Sequence, residues 1–579
     1  MAAVAAMARA FMLPKMNTIK VALATMKMAP TKRPCDLVLI KNMRSSSLTN
    51  MRMFNALFIA AFSLSLGAAF LPAAAAKGTL VYSNDFETAS ARQGWQGRWD
   101  DAEGYQSAHA ALFEQPLNRS NASHTARIAL PLEAIRGTVL RVTARVKAEG
   151  ITPKPNAWNG IKLMLAIESP TGNQWPQAPL GIGSFDWQRA GVMAHIPTQA
   201  TQVWLVLGLE RVAGKVWFDD LRVTVARALP AALPAPFPGT AFKGHDLPRL
   251  RGAMIHPNIN EESLRTLGRD WNANLIRWQL IRQGRAGQVN TLEEFDRWAE
   301  AELKKLDAAL PFCRQYGLYV VLDLHSPPGG KATAGGYLGS DHQLFTDRAA
   351  QDKFVEFWRQ TARRYKGNPI FWGFDLVNEP VEDWVEEDCD DWRSLAERAA
   401  RAIRAEDPTR TIIVEPSPWG GPQGLANFVP LPLPNIVYSV HMYIPHQFTH
   451  QNVHGPSDPI PYPGRAEGRD WDARQLEAAL QPVIDFQRRY NVHIYIGEFS
   501  AIRWAPEGSA YRYLRDVIDI FEKHGWDWSY HAFREWHGWS VEHDGNRANT
   551  RPATQPTDRQ LLLQQWFAKN RKPSWTATP

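Results

Sequence analysis

Gly373-Phe374-Asp375-Leu376-Val377-Asn378-Glu379-Pro380 follows an apolar run, Ile370-Phe371-Trp372, and precedes a short loop and a helix-type sequence. That pattern predicts a buried strand carrying polar groups at its C-terminal end. Proline disfavours the helical region for the residue before it, so Glu379 is expected to be extended. Val492-His493-Ile494-Tyr495-Ile496-Gly497-Glu498-Phe499-Ser500 has the same design, an apolar strand ending in a single glutamate. Carboxylates on the ends of two strands suit paired acid/base and nucleophilic work. Taken singly, each could be a strand-end residue in a surface ion pair.

Around these two stretches, strands alternate with helices from about Leu250 onward. Strands are predicted at Leu250–Ile255, Ala273–Trp278, Leu318–His325, Ile370–Glu379, Thr411–Glu415, Asn435–His441, Val492–Ser500 and Trp526–Phe533. Amphipathic helices are predicted at Leu292–Tyr316, Gln351–Tyr365, Trp392–Ala405, Ala473–Tyr490, Tyr511–His524 and Asp558–Lys569. Eight strands in about 325 residues fit an α/β fold, the (β/α)8 TIM barrel, over residues 245–573. Glu379 then ends strand four and Glu498 ends strand seven. Arg277, His325, Asn378, His441 and Tyr443 fall at the ends of strands two, three, four and six. Such a barrel gathers those ends into one cleft.

Residues 77–226 read differently. Short alternating strands such as Thr138–Val146, Gly160–Ile167 and Thr201–Leu209 are separated by turn residues. They predict an antiparallel β-sandwich. Residues 227–244 hold the run Leu229-Pro230-Ala231-Ala232-Leu233-Pro234-Ala235-Pro236-Phe237-Pro238, a semi-rigid linker. A sandwich joined in this way is either an independent module or one that shares an interface with the barrel, and deletion of residues 77–226 would tell the two apart.

Residues 1–76 contain nine Lys/Arg and one acid, Asp36. The chain has 65 bases and 58 acids, so the remainder has 56 and 57 and is close to neutral. Its charge gives no footprint for nucleic acid. Arg52, the apolar run Phe54–Phe70 and Leu71-Pro72-Ala73-Ala74-Ala75-Ala76 read as a signal peptide cleaved after about Ala76. The mature protein is expected to be secreted or periplasmic, free of the membrane and monomeric. Beyond the leader only Cys313 and Cys389 remain, with neither metal-ligand spacing nor a disulfide framework. No catalytic metal and no cofactor are expected.

Asn378-Glu379-Pro380, His441-Met442-Tyr443 and Ile496-Gly497-Glu498-Phe499, in this order and spacing, resemble the cellulase family, glycoside hydrolase family 5, over residues of about 245 to 572. The resemblance implies a retaining glycosidase with Glu379 as acid/base and Glu498 as nucleophile. Tyr443 and Arg277 would hold Glu498 ionised, and that charge would raise the titration of Glu379. Asn378 would contact the sugar 2-hydroxyl. His325 and His441 would bind hydroxyls or tune Glu379. The family's stacking tryptophan usually lies on strand eight, where this chain has His531 and Phe533. Trp536 is taken instead, with Trp419 as a second platform.

Gly214–Val223, Phe185-Asp186-Trp187-Gln188 and Ala194-His195-Ile196-Pro197 resemble jelly-roll carbohydrate-binding modules. In that resemblance Trp158, Trp175 and Trp187 are either stacking platforms or core and loop tryptophans of a structural sandwich, and Asp85, Glu87 and Asp219 would be ligands of a structural calcium. The implied substrate is a β-linked glucan or related polysaccharide, cut in the manner of an endo-β-1,4-glucanase. An exo-acting glucosidase, a mannanase, a glycolipid-cleaving enzyme and a non-catalytic carbohydrate-binding protein are the alternatives.

Overall fold

The computed structural model describes residues 75–95, 98–228, 230, 233–282, 291–329 and 343–576. All but the last two residues of the leader, part of the linker and most of the Ser326–His342 loop lie outside them. Among the described residues no helix is long and apolar enough to cross a membrane.

Eight parallel strands close into a barrel in chain order: Arg251–Ile255, Leu275–Gln279, Tyr319–Asp323, Phe371–Asp375, Thr411–Val414, Ile436–Met442, Ile494–Phe499 and Asp527–Phe533. They are strands one to eight below. The first pairs with the eighth, Arg251 beside Trp528, and completes the ring. Strands one to seven are buried along their whole length, which is why they read as near-continuous apolar runs.

The longer helices before the last cover the outside with an apolar stripe turned inward. Leu292–Tyr316 buries Phe295, Leu303, Leu306 and Cys313 and ends at Gly317, whose φ of +66° forms a left-handed cap. The single helix expected over Ala473–Tyr490 is two helices, Ala473–Ala479 and Gln481–Tyr490. Pro482 has no N–H to give to the first helix, so it opens a second one instead.

At the N-terminal end of the barrel Leu247, Leu250, Val321, Trp372, Ile413 and Tyr495 form a closed apolar floor. Asp527 Oδ2 lies 2.7 Å from His245 Nε2 and 2.6 Å from His493 Nε2 there. The pre-barrel segment is thereby pinned to strand eight.

Residues 80–228 form two antiparallel sheets. One contains Leu80–Asn84, Arg98–Asp100, Ala110–Gln115, Thr138–Ile151, Gly183–His195 and Gly214–Ala228, and the other Ser123–Ala129, Gly160–Glu168 and Gln202–Glu210. Leu140, Val142 and Val223 of the first share one core with Leu163, Leu165 and Leu207 of the second. Trp158 and Trp175 are 50% and 62% exposed. Trp187 instead packs beside Ala110, Leu112 and Trp217 and edge-on to Tyr105.

This N-terminal unit docks on one loop of the barrel, the segment after Glu379. Arg227 Nη1 donates to Glu382 Oε1 at 2.9 Å, and Arg189 Nη1 to Glu386 Oε2 at 2.9 Å. Buried Arg141 donates Nε–H to the Val385 carbonyl at 3.1 Å. Lys77 Nζ reaches the Cys389 carbonyl at 3.3 Å. Trp384 lies so close to Gly191 that a Cβ there would come within 2.7 Å of its ring. The linker therefore joins two bodies that already share an interface.

Candidate active site

Strand four ends at Asp375, so Glu379 lies beyond it on the following loop. Its backbone is not extended. Glu379 has φ of +49°, in the left-handed region. Pro380 disfavours the right-handed helical region, and the Glu379 N–H donates to Glu415 Oε2 at 2.8 Å. Glu498 stays within strand seven and is buried.

Arg277, on strand two, is fully buried. Its Nη1 donates to Glu498 Oε1 at 2.6 Å, its Nε to Asp375 Oδ2 at 3.1 Å, and its Nη2 to Glu415 Oε1 at 2.9 Å and Asn378 Oδ1 at 3.1 Å. Asp323 Oδ1 is 3.1 Å from the same Nη2. Four carboxylates thus converge on one guanidinium. Tyr443 donates its hydroxyl hydrogen to Glu498 Oε2 at 2.9 Å.

His441 Nδ1 is 2.9 Å from Glu379 Oε1 and 3.8 Å from Glu498 Oε2, and its Nε2 is 3.1 Å from Glu415 Oε1. The last contact has ion-pair distance without hydrogen-bond alignment. His325 Nδ1 lies 3.0 Å from Asp323 Oδ2, and its Nε2 lies 3.2 Å from Asn378 Nδ2. In the neutral ring, Nδ1 donates to the carboxylate and Nε2 accepts from the amide. That order fixes which way Asn378 faces.

The charges follow from this packing. Burial works against ionisation of Glu498, but His441, His531 and Arg277 outweigh it and hold the carboxyl well below its usual range. Burial and the neighbouring Glu415 push Asp375 well above its usual range. Burial would neutralise His441, yet Glu415 and Glu498 hold it well above the ordinary imidazole value. Burial and Glu498 raise the Tyr443 hydroxyl, which keeps it a donor.

Seven residues expected at the strand ends (Arg277, His325, Asn378, Glu379, His441, Tyr443 and Glu498) are therefore joined in one network. The two tryptophans are placed by other contacts as well. Trp536 is half-buried and meets Trp504 and Trp539 edge-on, with centroids 5.8 and 5.6 Å away. Trp539 in turn lies 6.3 Å from the Tyr443 ring. Trp419, at φ of +64°, donates its N–H to the Pro380 carbonyl at 3.1 Å.

The network contains groups that sequence reasoning passed over. Glu415, Asp323 and Asp375 all reach Arg277. His531, on strand eight, lies 6.1 Å from the Tyr443 ring and 3.6 Å from Glu535, which accepts from Gln279 at 3.0 Å. A signal for Glu415 was present. Thr411-Ile412-Ile413-Val414-Glu415-Pro416 has the same apolar-strand, glutamate, proline design as the stretch at Glu379.

Among the described residues two groups bring three metal-ligating atoms within 4.8 Å of one another: Glu379, His441 and Glu498 in the cleft, and His245, His493 and Asp527 below the barrel. In the N-terminal unit, Glu87 takes His109 Nδ1 at 2.9 Å and Asp219 Oδ2 takes the Tyr105 N–H and the Ser107 hydroxyl at 2.8 and 3.0 Å. Asp85 accepts the Glu87 N–H at 3.2 Å. These carboxylates face N–H and O–H donors, whereas a calcium shell is built from oxygen lone pairs.

Comparison with known proteins bears on the residues of the barrel. Residues 236–535 match the model of the family described as cellulase, glycosyl hydrolase family 5. Endoglucanase C of Acetivibrio thermocellus is 30% identical over 273 residues, which are 42% of this chain and 76% of that protein. Cellodextrinase A of Ruminococcus flavefaciens is 26% identical over 223 residues, 38% of this chain and 64% of that protein. Among solved structures, Thermotoga maritima Cel5A with mannotriose is 24% identical, with a TM-score of 0.41, over 54% of this chain and 97% of that one. With its barrel closed and the match spanning strands one to eight, the chain belongs to the cellulase family, glycosyl hydrolase family 5.

Proposed function

We propose that this enzyme hydrolyses a β-1,4-linked glucan with retention of configuration, Glu498 acting as nucleophile and Glu379 as acid/base. The observation that carries the reading is a distance. A Glu379 oxygen and a Glu498 oxygen lie within 4.8 Å of each other. Retaining pairs stand roughly 5–5.5 Å apart, whereas inverting pairs leave about 6.5–9.5 Å for a water.

The chemistry then has two steps. Glu498, ionised by its neighbours, attacks the anomeric carbon while Glu379 gives its proton to the departing glycosidic oxygen. The C–O bond to the leaving sugar breaks and a glycosyl ester on Glu498 forms. Glu379, now a carboxylate, takes a proton from water, whose oxygen displaces Glu498. His441 hydrogen-bonds Glu379 and Asn378 is held to meet the 2-hydroxyl. Trp419 and Trp536 flank the cleft as stacking surfaces. The substrate class rests on the endoglucanase and cellodextrinase relatives.

The leader makes this an exported enzyme in this reading. The N-terminal unit would be a jelly roll that holds polysaccharide on its exposed Trp158 and Trp175. The Trp158 carbonyl takes both Lys162 Nζ and Gln177 Nε2, which ties its loop to the strand beside Trp175.

Glu498→Ala with azide tests the nucleophile. The variant should lose turnover, and azide should restore it on an aryl cellobioside as the inverted, α-configured glycosyl azide. Full activity without azide would overturn the reading. Silence of the wild-type enzyme on β-1,4-glucan, mixed-linkage glucan and aryl cellobioside would remove the substrate class.

A further inference from the structure

Glu415 belongs to the end of strand five, and nothing in the proposed double displacement requires it to touch sugar. It is nonetheless fully buried, and it is the group on which the acid side of the cleft converges. Its Oε2 accepts the N–H of Glu379 itself at 2.8 Å. Its Oε1 accepts from Arg277 Nη2 at 2.9 Å and lies 3.1 Å from His441 Nε2. His441, held from behind in this way, puts its other nitrogen 2.9 Å from Glu379 Oε1.

The surrounding backbone is cut to fit this carboxylate. Gly420 has φ of +61°, and a Cβ on it would sit 2.6 Å from Glu415 Oε2. The Gly420 carbonyl accepts the His441 N–H at 2.8 Å, so the turn that makes room for Glu415 also fixes the strand that carries His441. A left-handed backbone at a non-glycine residue costs free energy and persists only where its surroundings hold it. At Glu379 the hydrogen bond to Glu415 is such a hold.

Resting on the assignment of Glu379 as acid/base, we infer that Glu415 is the positioning residue for that group: it fixes the Glu379 backbone directly and its carboxylate through His441. Its loss should damage proton transfer to the leaving group and leave nucleophilic attack nearly intact. Arg277 keeps Glu498, Asp375 and Asp323 as partners when Glu415 is removed, so the nucleophile stays anchored.

The test uses Glu415→Ala, Glu415→Gln and Gly420→Ala in the full chain, with two substrates. One is 2,4-dinitrophenyl β-cellobioside, whose leaving group departs without a proton. The other is a cello-oligosaccharide, whose leaving group needs one. A misplacement of about 1 Å costs on the order of 100-fold. Glu415→Ala should therefore lose about 100-fold in kcat/KM on the oligosaccharide and no more than about threefold on the dinitrophenyl substrate. Azide should speed its turnover of the dinitrophenyl substrate and release the glycosyl azide with retained configuration. Glu415→Gln should fall between Ala and wild type, and Gly420→Ala should share the skew between substrates.

The ratio between substrates is independent of how much of a sample is folded. Equal losses on both substrates, or no loss on either, would overturn the role of Glu415. Wild-type turnover that disappears in Glu498→Ala separates this outcome from a failure of the enzymatic reading.

Discussion

Arg277 Nη1 and Glu498 Oε1 are 2.6 Å apart, with both side chains buried. The guanidinium is out of contact with solvent, so water does not screen its charge from Glu498. Burial alone would protonate this carboxyl. His441, His531 and Arg277 reverse that and keep it ionised. Replacing Arg277 by Met removes a stabiliser of the charged form, so the Glu498 pKa should rise. The acidic limb of kcat/KM, which reports the free enzyme, should move to higher pH in the variant, and turnover should fall about 100-fold or more. A pH–rate profile on an aryl cellobioside reads both. An unmoved limb would mean that another group sets it.

Gly497 stands immediately before the proposed nucleophile. A Cβ there would come 2.7 Å from Ser439 Oγ and 3.0 Å from His441 Nε2. Gly497→Ala should displace the His441 ring and disturb its contact with Glu379 while leaving the barrel folded. The expected result is a loss of about 100-fold in kcat with a circular dichroism spectrum like that of the wild type.

At the opposite end of the barrel, burial would protonate Asp527, but His493 and His245 outweigh it and hold the carboxyl far below its ordinary range. A carboxyl lowered in this way stabilises the fold above its unfolded pKa and ceases to do so only as pH falls through the folded value. The unfolded value is about 3.9. Asp527→Asn should cost about 3 kcal/mol by denaturant unfolding, because it breaks a buried charged network. The difference from wild type should be present at about pH 5, above the unfolded carboxyl value, and shrink as the pH falls from there.

The N-terminal unit grips the loop after Glu379 through Arg141, Arg189 and Arg227. Wild type should therefore unfold in one calorimetric transition that includes both bodies. Arg141→Ala loses a buried donor to the Val385 carbonyl and its contact with the Trp384 ring. It should cost about 2 kcal/mol at the interface and split the transition in two. Two separate transitions in the wild type would show the two bodies to be uncoupled, and a single unchanged transition in Arg141→Ala would show that Arg141 does not couple them.

The barrel was legible because burial on both faces forces strands one to seven into apolar runs, and because Leu292–Tyr316 repeats its apolar residues at helical spacing up to Gly317. Glu379 and Glu498 were legible as lone carboxylates on such runs. The backbone at Glu379 was not. Proline disfavours one region, but the hydrogen bond made in the left-handed one is to Glu415, which arrives from another strand. Glu415 itself was visible as a strand-end acid, yet its importance lies in three partners on strands two and six and on the loop after strand four. Trp536 was placed by analogy with a strand-eight tryptophan, whereas this chain puts His531 on that strand and Trp536 beside Trp504 and Trp539. The docking of the N-terminal unit is equally a matter of three-dimensional meeting. A Pro/Ala-rich linker says how two bodies are joined and nothing of where they touch.

The most direct measurement is the configuration of the first product. Proton NMR of a short β-1,4-glucan during early hydrolysis distinguishes the α- and β-anomers of the new reducing end before they equilibrate. Carboxylates this close predict that the β-anomer forms first and the α-anomer grows in later. The α-anomer appearing first would contradict the double displacement through Glu498.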